Sequence, residues 1–374
     1  MATLRDLFRK AGADLFQNDS IALDKFFLEP YQDANFEDEN DQFTFTKIFE
    51  SSSPKKHKKL PEYEQFFSLF QYFLDGSRKT YKIGDLMIGN KIYPVVIAQI
   101  RAGCAKRENR RISKCTLISQ NYILITNNFN EVNFDEVSIQ IKKSEKSKKL
   151  AIPVNVERYS YNKIKDIAPN NAAIAKANNL MHQEEIAILT DMVNAKRLDT
   201  NKMLIVDGPL QFIAEDTGKD SFADLFYNVI GLSKSFDPNL NMTEKRAGTH
   251  IGAILFDLDY AHRTPVFHKT NSRGREFGFW YLRIRRKQHI RSPFDGILKV
   301  EKMATKDESD AGGLDSAAVD NISFSLLAES LPTCHGKDER WPNHLYPVYL
   351  AEKMVKASFM SDAFFINQFQ RNIF

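Results

Sequence analysis

Two short apolar runs, each ending in Asp-Gly, flank a long segment with neither glycine nor proline, and this arrangement leaves little freedom in fold class. The first run is QYFLD, followed by Gly76-Ser77, and the second is MLIVD, followed by Gly208-Pro209. Between them NNAAIAKANNLMHQEEIAILTDMVNAKRL is built of strong helix formers. Apolar runs of this length bounded by turn residues read as buried strands. Strand, helix and strand in succession predict an α/β chain with a mixed sheet flanked by helices. YPVVIAQIRAGC, TLISQNYILITNN, AGTHIGAILFDLDY, TPVFHKT and EFGFWYLRIRR add strands, while QYFLDGSRKTYKIGDLMI reads as a strand, a Gly turn and a second strand. YPVYLAEKMVKASFMSDAFFINQF closes the chain as a helix with Pro347 in its first turn.

The 374 residues are 43% hydrophobic and 27% charged, the balance of a packed protein rather than a disordered one. Residues 1–66 read as an N-terminal accessory segment: an amphipathic start with Leu4, Leu7, Phe8 and Leu15, an acidic loop at Glu37–Asp41, and a basic linker at Lys55–Lys59. The main domain is expected over 67–374, with a polar insertion of loops and short strands at about 128–170 and a flexible loop at 303–318. No apolar run approaches the roughly 20 residues of a membrane span, and charges interrupt the N-terminus, so a cytoplasmic protein is expected. Cys104, Cys115 and Cys334 are odd in number and lack a Cys-x-x-Cys pair, which excludes a disulfide framework or structural zinc cluster and leaves reduced, mostly buried thiols. A net charge of +4 does not announce a nucleic-acid binder, so that reading rests on where charges cluster.

The carboxylates carry the chemistry. Asp75 and Asp207 each stand at the end of an apolar run, with a glycine next that lets a partner approach the backbone; each alone reads as a turn, and neighbouring strands would bring the pair to one sheet edge. On the helix between them, Met181, Glu185, Ile188, Leu189 and Met192 share a face at about 100° per residue, so Glu185 points toward the sheet and Glu184 toward its edge. An acid on that face costs desolvation energy unless paired or bound to a cation. On the last helix Glu352 borders the stripe of Val348, Ala351, Val355 and Phe359. Asp on a strand, Glu on a helix, Asp on a later strand and a ligand on a final helix is the order of the ribonuclease H-like nuclease fold. Four such oxygen ligands suit two hard divalent ions, Mn²⁺ or Mg²⁺, in phosphoryl transfer.

Basic residues surround these positions. Ser77 and Arg78 follow Asp75, Lys234 lies in a GLSK turn, and Arg101 sits one strand away; each is a candidate for DNA phosphate. Arg273, Arg275, Arg283, Arg285, Arg286, Lys287 and Arg291 interleave with Phe277, Phe279, Trp280 and Tyr281, a mixture that suits phosphates and unstacked bases, or an aromatic core with solvated arginines. Lys106, Arg107, Arg110, Arg111 and Lys114 form a second patch, read as a loop. The histidines form no HExxH pair, and His182 reads as exposed. Asp257 and Asp259 read as salt-bridge partners of the arginine-rich strand.

Taken in order, FLDGSRK, the Glu-bearing helix, LIVDGPL, IGLSKSF, HRTPVF and LYPVYLAEKM resemble the NurA family of nucleases, which work with the hexameric HerA translocase, over most of residues 67–374. The resemblance implies a metal-dependent DNA nuclease in which Asp75, Glu185, Asp207 and Glu352 hold the ions, acting as a homodimer with a HerA-type ATPase in DNA end processing or anti-phage defence. The family usually carries Ala-His or Ala-Asp where this chain has Ala351-Glu352, so a metal-compatible oxygen is kept and an imidazole lost. Because the chain has no Walker A motif, ATP-driven motion falls to the partner, and the amphipathic N-terminus is a candidate contact with it or with a second copy. The alternative is a non-catalytic DNA-binding or adaptor subunit of the same ATPase; the presence of all four acids argues against it.

Overall fold

The apolar run that reaches Asp75 continues straight through Gly76-Ser77 and becomes the spine of a large sheet. In the computed structural model the described residues are 4–10, 12–23, 42–52, 57–62, 68–129, 131–161, 168–210, 226–239, 250–270, 274–334 and 341–372. The first elements are α1 (Leu4–Lys10), β1 (Ala13–Ala22), β2 (Gln42–Ile48), β3 (Lys58–Lys59), β4 (Phe70–Ile88), β5 (Lys91–Glu108) and β6 (Arg111–Thr126). Then come α2 (Glu131–Lys146), β7 (Asn155–Tyr159), α3 (Pro169–Asn194), β8 (Met203–Asp207), β9 (Val229–Ser233), α4 (Ile251–Asp257), β10 (His262–Arg263) and β11 (Phe267–Thr270). The chain ends with β12 (Glu276–Arg283), β13 (Ile297–Met303), α5 (Lys306–Asp310), α6 (Ser316–Glu329), α7 (Tyr346–Ala357) and α8 (Asp362–Asn372).

The strands run in the order β2-β11-β12-β13-β9-β8-β4-β5-β6-β7. At the centre β4, β5 and β6 pair antiparallel, whereas β4, β8 and β9 pair parallel. The result is a mixed sheet, and its parallel half requires the crossover helix α3 between β6 and β8. Turn chemistry fixes the long hairpins. Asn109 and Arg110 have φ of 49° and 62°, the double positive value of a tight two-residue hairpin turn, so the basic patch at Lys106–Lys114 is a hairpin tip and not a loop.

Side-chain alternation builds one core on each face. Phe73, Ile205, Ile230, Leu232, Trp280 and Val300 meet Leu326 of α6 and Val348 of α7. Tyr72, Leu74, Leu204 and Val206 meet Ile188, Leu189 and Met192 of α3. Pro169 opens α3, where its missing N–H costs nothing, and unbranched helix formers carry the helix to Asn194.

Several expectations change. The strand–turn–strand expected at 71–88 is one strand, because β5 pairs with it on both sides of Gly76. The insertion at 128–170 contains helix α2, whose Val137 and Ile141 are buried. Residues 303–318 hold α5, closed by a capping box between Thr305 and Glu308, and the Asp315 cap of α6. ILFDLDY is no strand: α4 occupies 251–257 and buries Ile251 and Leu255. The final helix breaks between Ala357 and Asp362. The acidic loop at 37–41, Lys55, Lys56, Arg273 and His335 lie outside the described residues.

The described part of the N-terminal segment belongs to the same sheet, since β1 pairs with β4 from Ala13↔Ile88 to Ala22↔Tyr81. Phe8 and Leu15 are buried with Ile83, Ile97 and Phe365, and the Phe8 ring meets Phe129 edge-on at 5.0 Å. Packing on its own domain therefore takes up these two side chains, which are not free to contact a partner. Phe8→Ala is expected to destabilise the chain by about 3–5 kcal/mol, the usual cost of emptying a buried phenylalanine site. Urea denaturation measures this, and a loss under about 1 kcal/mol would show a segment that packs only loosely.

Candidate active site

Where β8 ends, its neighbours bring ionisable side chains together. Leu74 pairs with Val206, so Asp75 and Asp207 stand next to each other on adjacent parallel strands. Both follow the parity of Phe73 and Ile205, which places them on the face covered by α6 and α7. Lys234, just past β9, shares that face; its side chain is 7% exposed, and Nζ donates to Asp207 Oδ2 at 2.6 Å. Glu352 of α7 closes the group from above, with Oε2 3.9 Å from Lys234 Nζ.

Glu185 arrives from the other face. Gly76 follows the parity of Leu74 and looks toward α3, and a Cβ built on it would lie 2.6 Å from Glu185 Oε1. The missing side chain is the opening through which the α3 carboxylate reaches the strand that carries Asp75. Gly76 thus has a packing role, not the turn role that Asp-Gly suggests. Glu184 accepts a hydrogen bond from Tyr122 Oη at 3.1 Å and belongs to a different contact.

The electrostatics follow from burial. Asp75 is 6% exposed, and burial together with the Asp207, Glu185 and Glu352 charges pushes its pKa well above the usual carboxylate range, against the pull of Lys234. Burial opposes the Lys234 ammonium too, but Asp207, Asp75 and Glu352 overcome it and hold its pKa above the ordinary lysine value. For Glu352, burial is outweighed by Lys356, Lys234 and His344, which lower its pKa.

Two histidines that sequence patterns passed over take part. His182, one turn before Glu185, donates from Nδ1 to Glu185 Oε2 at 2.7 Å and is half-buried rather than exposed. The i, i+3 spacing was the available signal. His344 is fully buried, with Nδ1 4.0 Å from Glu352 Oε2, so an imidazole stands beside this acid. Asn343 donates to the Lys234 carbonyl at 2.9 Å and ties this turn to the end of β9.

The other candidates separate. Ser77 and Arg78 adjoin Asp75 on β4; Arg78 bonds Asn178 and Thr80, so it braces α3 against the sheet. Arg286 lies over the Tyr260 ring at 5.2 Å and is exposed. Arg283 does not face DNA: fully buried, it donates to the carbonyls of Leu258, Asp295, Leu255 and Pro293. Arg285 is buried against the Ser330 carbonyl, and Arg101 against those of Ile100 and Gln120, with Gln99 and Asn121 beside it. These three guanidiniums satisfy backbone carbonyls inside the protein and are withdrawn as phosphate contacts. Asp259 meets Lys287 at 3.3 Å.

The donor set suits hard divalent cations by its chemistry. Asp75 Oδ2 and Glu352 Oε2 are buried and accept no hydrogen bond, a state that a cation relieves. Among the described residues, no three His, Cys, Asp or Glu side chains gather as ligands of one ion. The Lys234 ammonium lies between Asp207 and Glu352 and supplies positive charge there.

No family model matches this chain, and no curated protein matches it. Among solved structures, the crystal structure of the NurA nuclease from Sulfolobus solfataricus is similar at 11% identity and a TM-score of 0.41, covering 79% of this chain and 82% of that one.

Because the folded state raises the Asp75 pKa, ionisation of Asp75 works against folding. Below about pH 4 the carboxyl is protonated in both states and the penalty vanishes; as pH rises the unfolded chain releases its proton first and stability falls. With chelator present, Asp75→Asn should therefore be more stable than wild type at pH 7, and the gain should shrink toward pH 4. Urea midpoints at the two pH values test this; an equal or lower midpoint at pH 7 contradicts it.

Proposed function

We propose that this chain is a divalent-metal-dependent deoxyribonuclease that hydrolyses phosphodiester bonds. The observation that carries the reading is the convergence of Asp75, Asp207 and Glu352 around the buried Lys234 ammonium, with Glu185 reaching the same stretch of β4 at Gly76 from the other face. In this reading Asp75, Glu185, Asp207 and Glu352 hold two ions, Mn²⁺ or Mg²⁺. Ions so bound supply Lewis acidity that activates water and stabilises the leaving oxygen. The chain's own groups do the rest. His182 orients the Glu185 carboxylate through its 2.7 Å hydrogen bond. Lys234, beside Asp207 and Glu352, would offer its ammonium to the phosphate as a point charge. Ser77 offers a hydroxyl beside Asp75, and Arg78 keeps α3 in register with β4.

The resemblance described above supplies the setting: DNA as substrate, a hexameric HerA-type ATPase that feeds strands, a homodimer, and a role in the cytoplasm in end processing or anti-phage defence. Among the described residues no helix is long and apolar enough to cross a membrane. One observation favours the alternative of a non-catalytic adaptor: Lys234 already neutralises part of the acidic cluster without a metal. Incubation of the purified protein with end-labelled single- and double-stranded DNA, with Mn²⁺, Mg²⁺ or chelator, separates the two.

Asp75→Ala and Asp207→Ala are expected to abolish cleavage with the fold retained. Glu185→Gln should cost on the order of a hundredfold, as loss of one preorganised charge at a transition state does, whereas Glu184→Gln should stay near wild type. Equal activities of the two glutamine variants would remove Glu185 from the site.

Gly76→Ala tests the opening in β4. Its methyl group would displace the Glu185 carboxylate, so cleavage should fall at least about tenfold with the circular dichroism spectrum unchanged. Wild-type rates in that variant would show that Glu185 does not need to reach the strand.

A further inference from the structure

The sequence presents three unremarkable cysteines, but the fold treats them differently. Cys104 and Cys334 are buried, and Cys115 is half-buried at the protein surface. Strands β5 and β6 pair Cys104 with Thr116 and then Ala105 with Lys114, which leaves Cys115 as the extra residue of a bulge. A bulge sets two residues against one. Here it packs Cys115 against the core cluster that contains Cys104, whose own thiol donates to the Ala105 carbonyl. Thr116 Oγ1 donates to Cys115 Sγ at 3.9 Å, and Arg197 Nη1, just beyond α3, donates at 3.5 Å. Tyr72 and Lys106 are the other ionisable groups that act on this sulfur.

These donors favour a thiolate. The neighbouring Cys104, helped by Thr116 and Arg197 against the effect of burial, lowers the Cys115 pKa to about 5. Cys115 and deeper burial push Cys104 well above the ordinary thiol value. The half-buried sulfur is thus favoured as the attacking thiolate, and the buried one as the thiol beside it.

We propose that Cys115 is a peroxide-reactive modification site and that Cys104 is its resolving partner, closing a reversible disulfide between β5 and β6. The Cys115 thiolate attacks one oxygen of a hydroperoxide; the S–O bond forms, the O–O bond breaks, and the leaving hydroxide or alkoxide takes a proton to become water or alcohol. Cys104, losing its proton, then attacks the sulfenic sulfur and displaces hydroxide, which takes that proton as water. Two thiols lose two electrons and the peroxide gains them. A low-molecular-weight thiol reverses the bond by exchange. The pair lies on the α3 face of the sheet, in the core with Leu74 and Met192, whereas Asp75 is on the opposite face, so the proposal stands independently of the nuclease reading.

The test uses the full-length protein under native conditions. At pH 6, iodoacetamide should label Cys115 on the order of tenfold or more faster than Cys334, read by peptide mass spectrometry. One equivalent of hydrogen peroxide should lower the intact mass by two hydrogens and give a peptide linking Cys104 to Cys115, both reversed by dithiothreitol. In Cys104→Ser the same treatment should stop at a Cys115 sulfenic acid trapped by dimedone. Labelling of Cys115 no faster than of Cys334, or absence of the Cys104–Cys115 link in the wild type, overturns the proposal without reference to any variant's folding.

Discussion

Asp75, Asp207 and Glu352 cannot share a desolvated strand edge without a cation, and the chain supplies one in Lys234. Removing a charge from water costs several kcal/mol unless a partner and hydrogen bonds compensate. Lys234 meets that cost through Asp207 at 2.6 Å and the field of Asp75 and Glu352. Its backbone is in turn fixed by Asn343, whose side chain also accepts from Gly296 N and so ties β9, the 341–343 turn and the loop before β13 together. The ammonium is therefore the point at which the strand ends, α7 and the preceding turn are held in one geometry. Asp75 remains the member least compensated, and the chain tolerates that because the rest of the sheet is deeply packed.

The acids reach this point from opposite faces of the sheet. Asp75, Asp207 and Glu352 lie on the α7 side, whereas Glu185 lies on the α3 side, and a continuous β4 would wall one from the other. Gly76 removes the wall locally without ending the strand, since β5 pairs across it from Gly103 to Ala102. A glycine inside a long strand weakens it. Here the pairing of β4 with β1, β5 and β8 along its length offsets that weakness. Site geometry and sheet length are thus linked: a short β4 with a turn at Gly76 would lack the stiffness to keep Asp75 in register with Asp207.

Much of this was legible in the residues. The helix between the two Asp-Gly runs, the inward face of Glu185 and the neighbouring placement of Asp75 and Asp207 at one sheet edge all follow from periodicity and residue type. What escaped did so for physical reasons. Asp75-Gly76 carries a turn signature, and only the carboxylate packed on Gly76 explains why the strand continues. ILFDLDY mixes apolar and acidic residues with period two over a short span, and tertiary burial of Ile251 and Leu255 decides for a helix. Thr305 and Glu308 spell a capping box, but it lies in a segment rich in Asp, Ser and Gly that reads as loop. His182 and His344 match no motif, because their partners are set by helix pitch in one case and by tertiary packing in the other.

The arginine-rich strand shows how composition misleads about electrostatics. A guanidinium presents five donors, and a buried one can satisfy several loop carbonyls at once. Arg283 does so for four residues around the end of β12, and Arg101 and Arg285 do the same elsewhere. These charges hold the scaffold and are screened from any polyanion by the groups they bind. The cations seated beside the acids are Lys234 and Lys356, with Arg78 on the strand next to Asp75. Each phosphate neutralised contributes about −0.9 to the logarithmic salt slope of duplex binding, so two or three contacts give only a shallow dependence and a weak grip. On the proposed reading, the described cations beside the acids would by themselves hold duplex DNA weakly at physiological salt, and a ring-shaped ATPase that encircles the strand would supply the retention they do not.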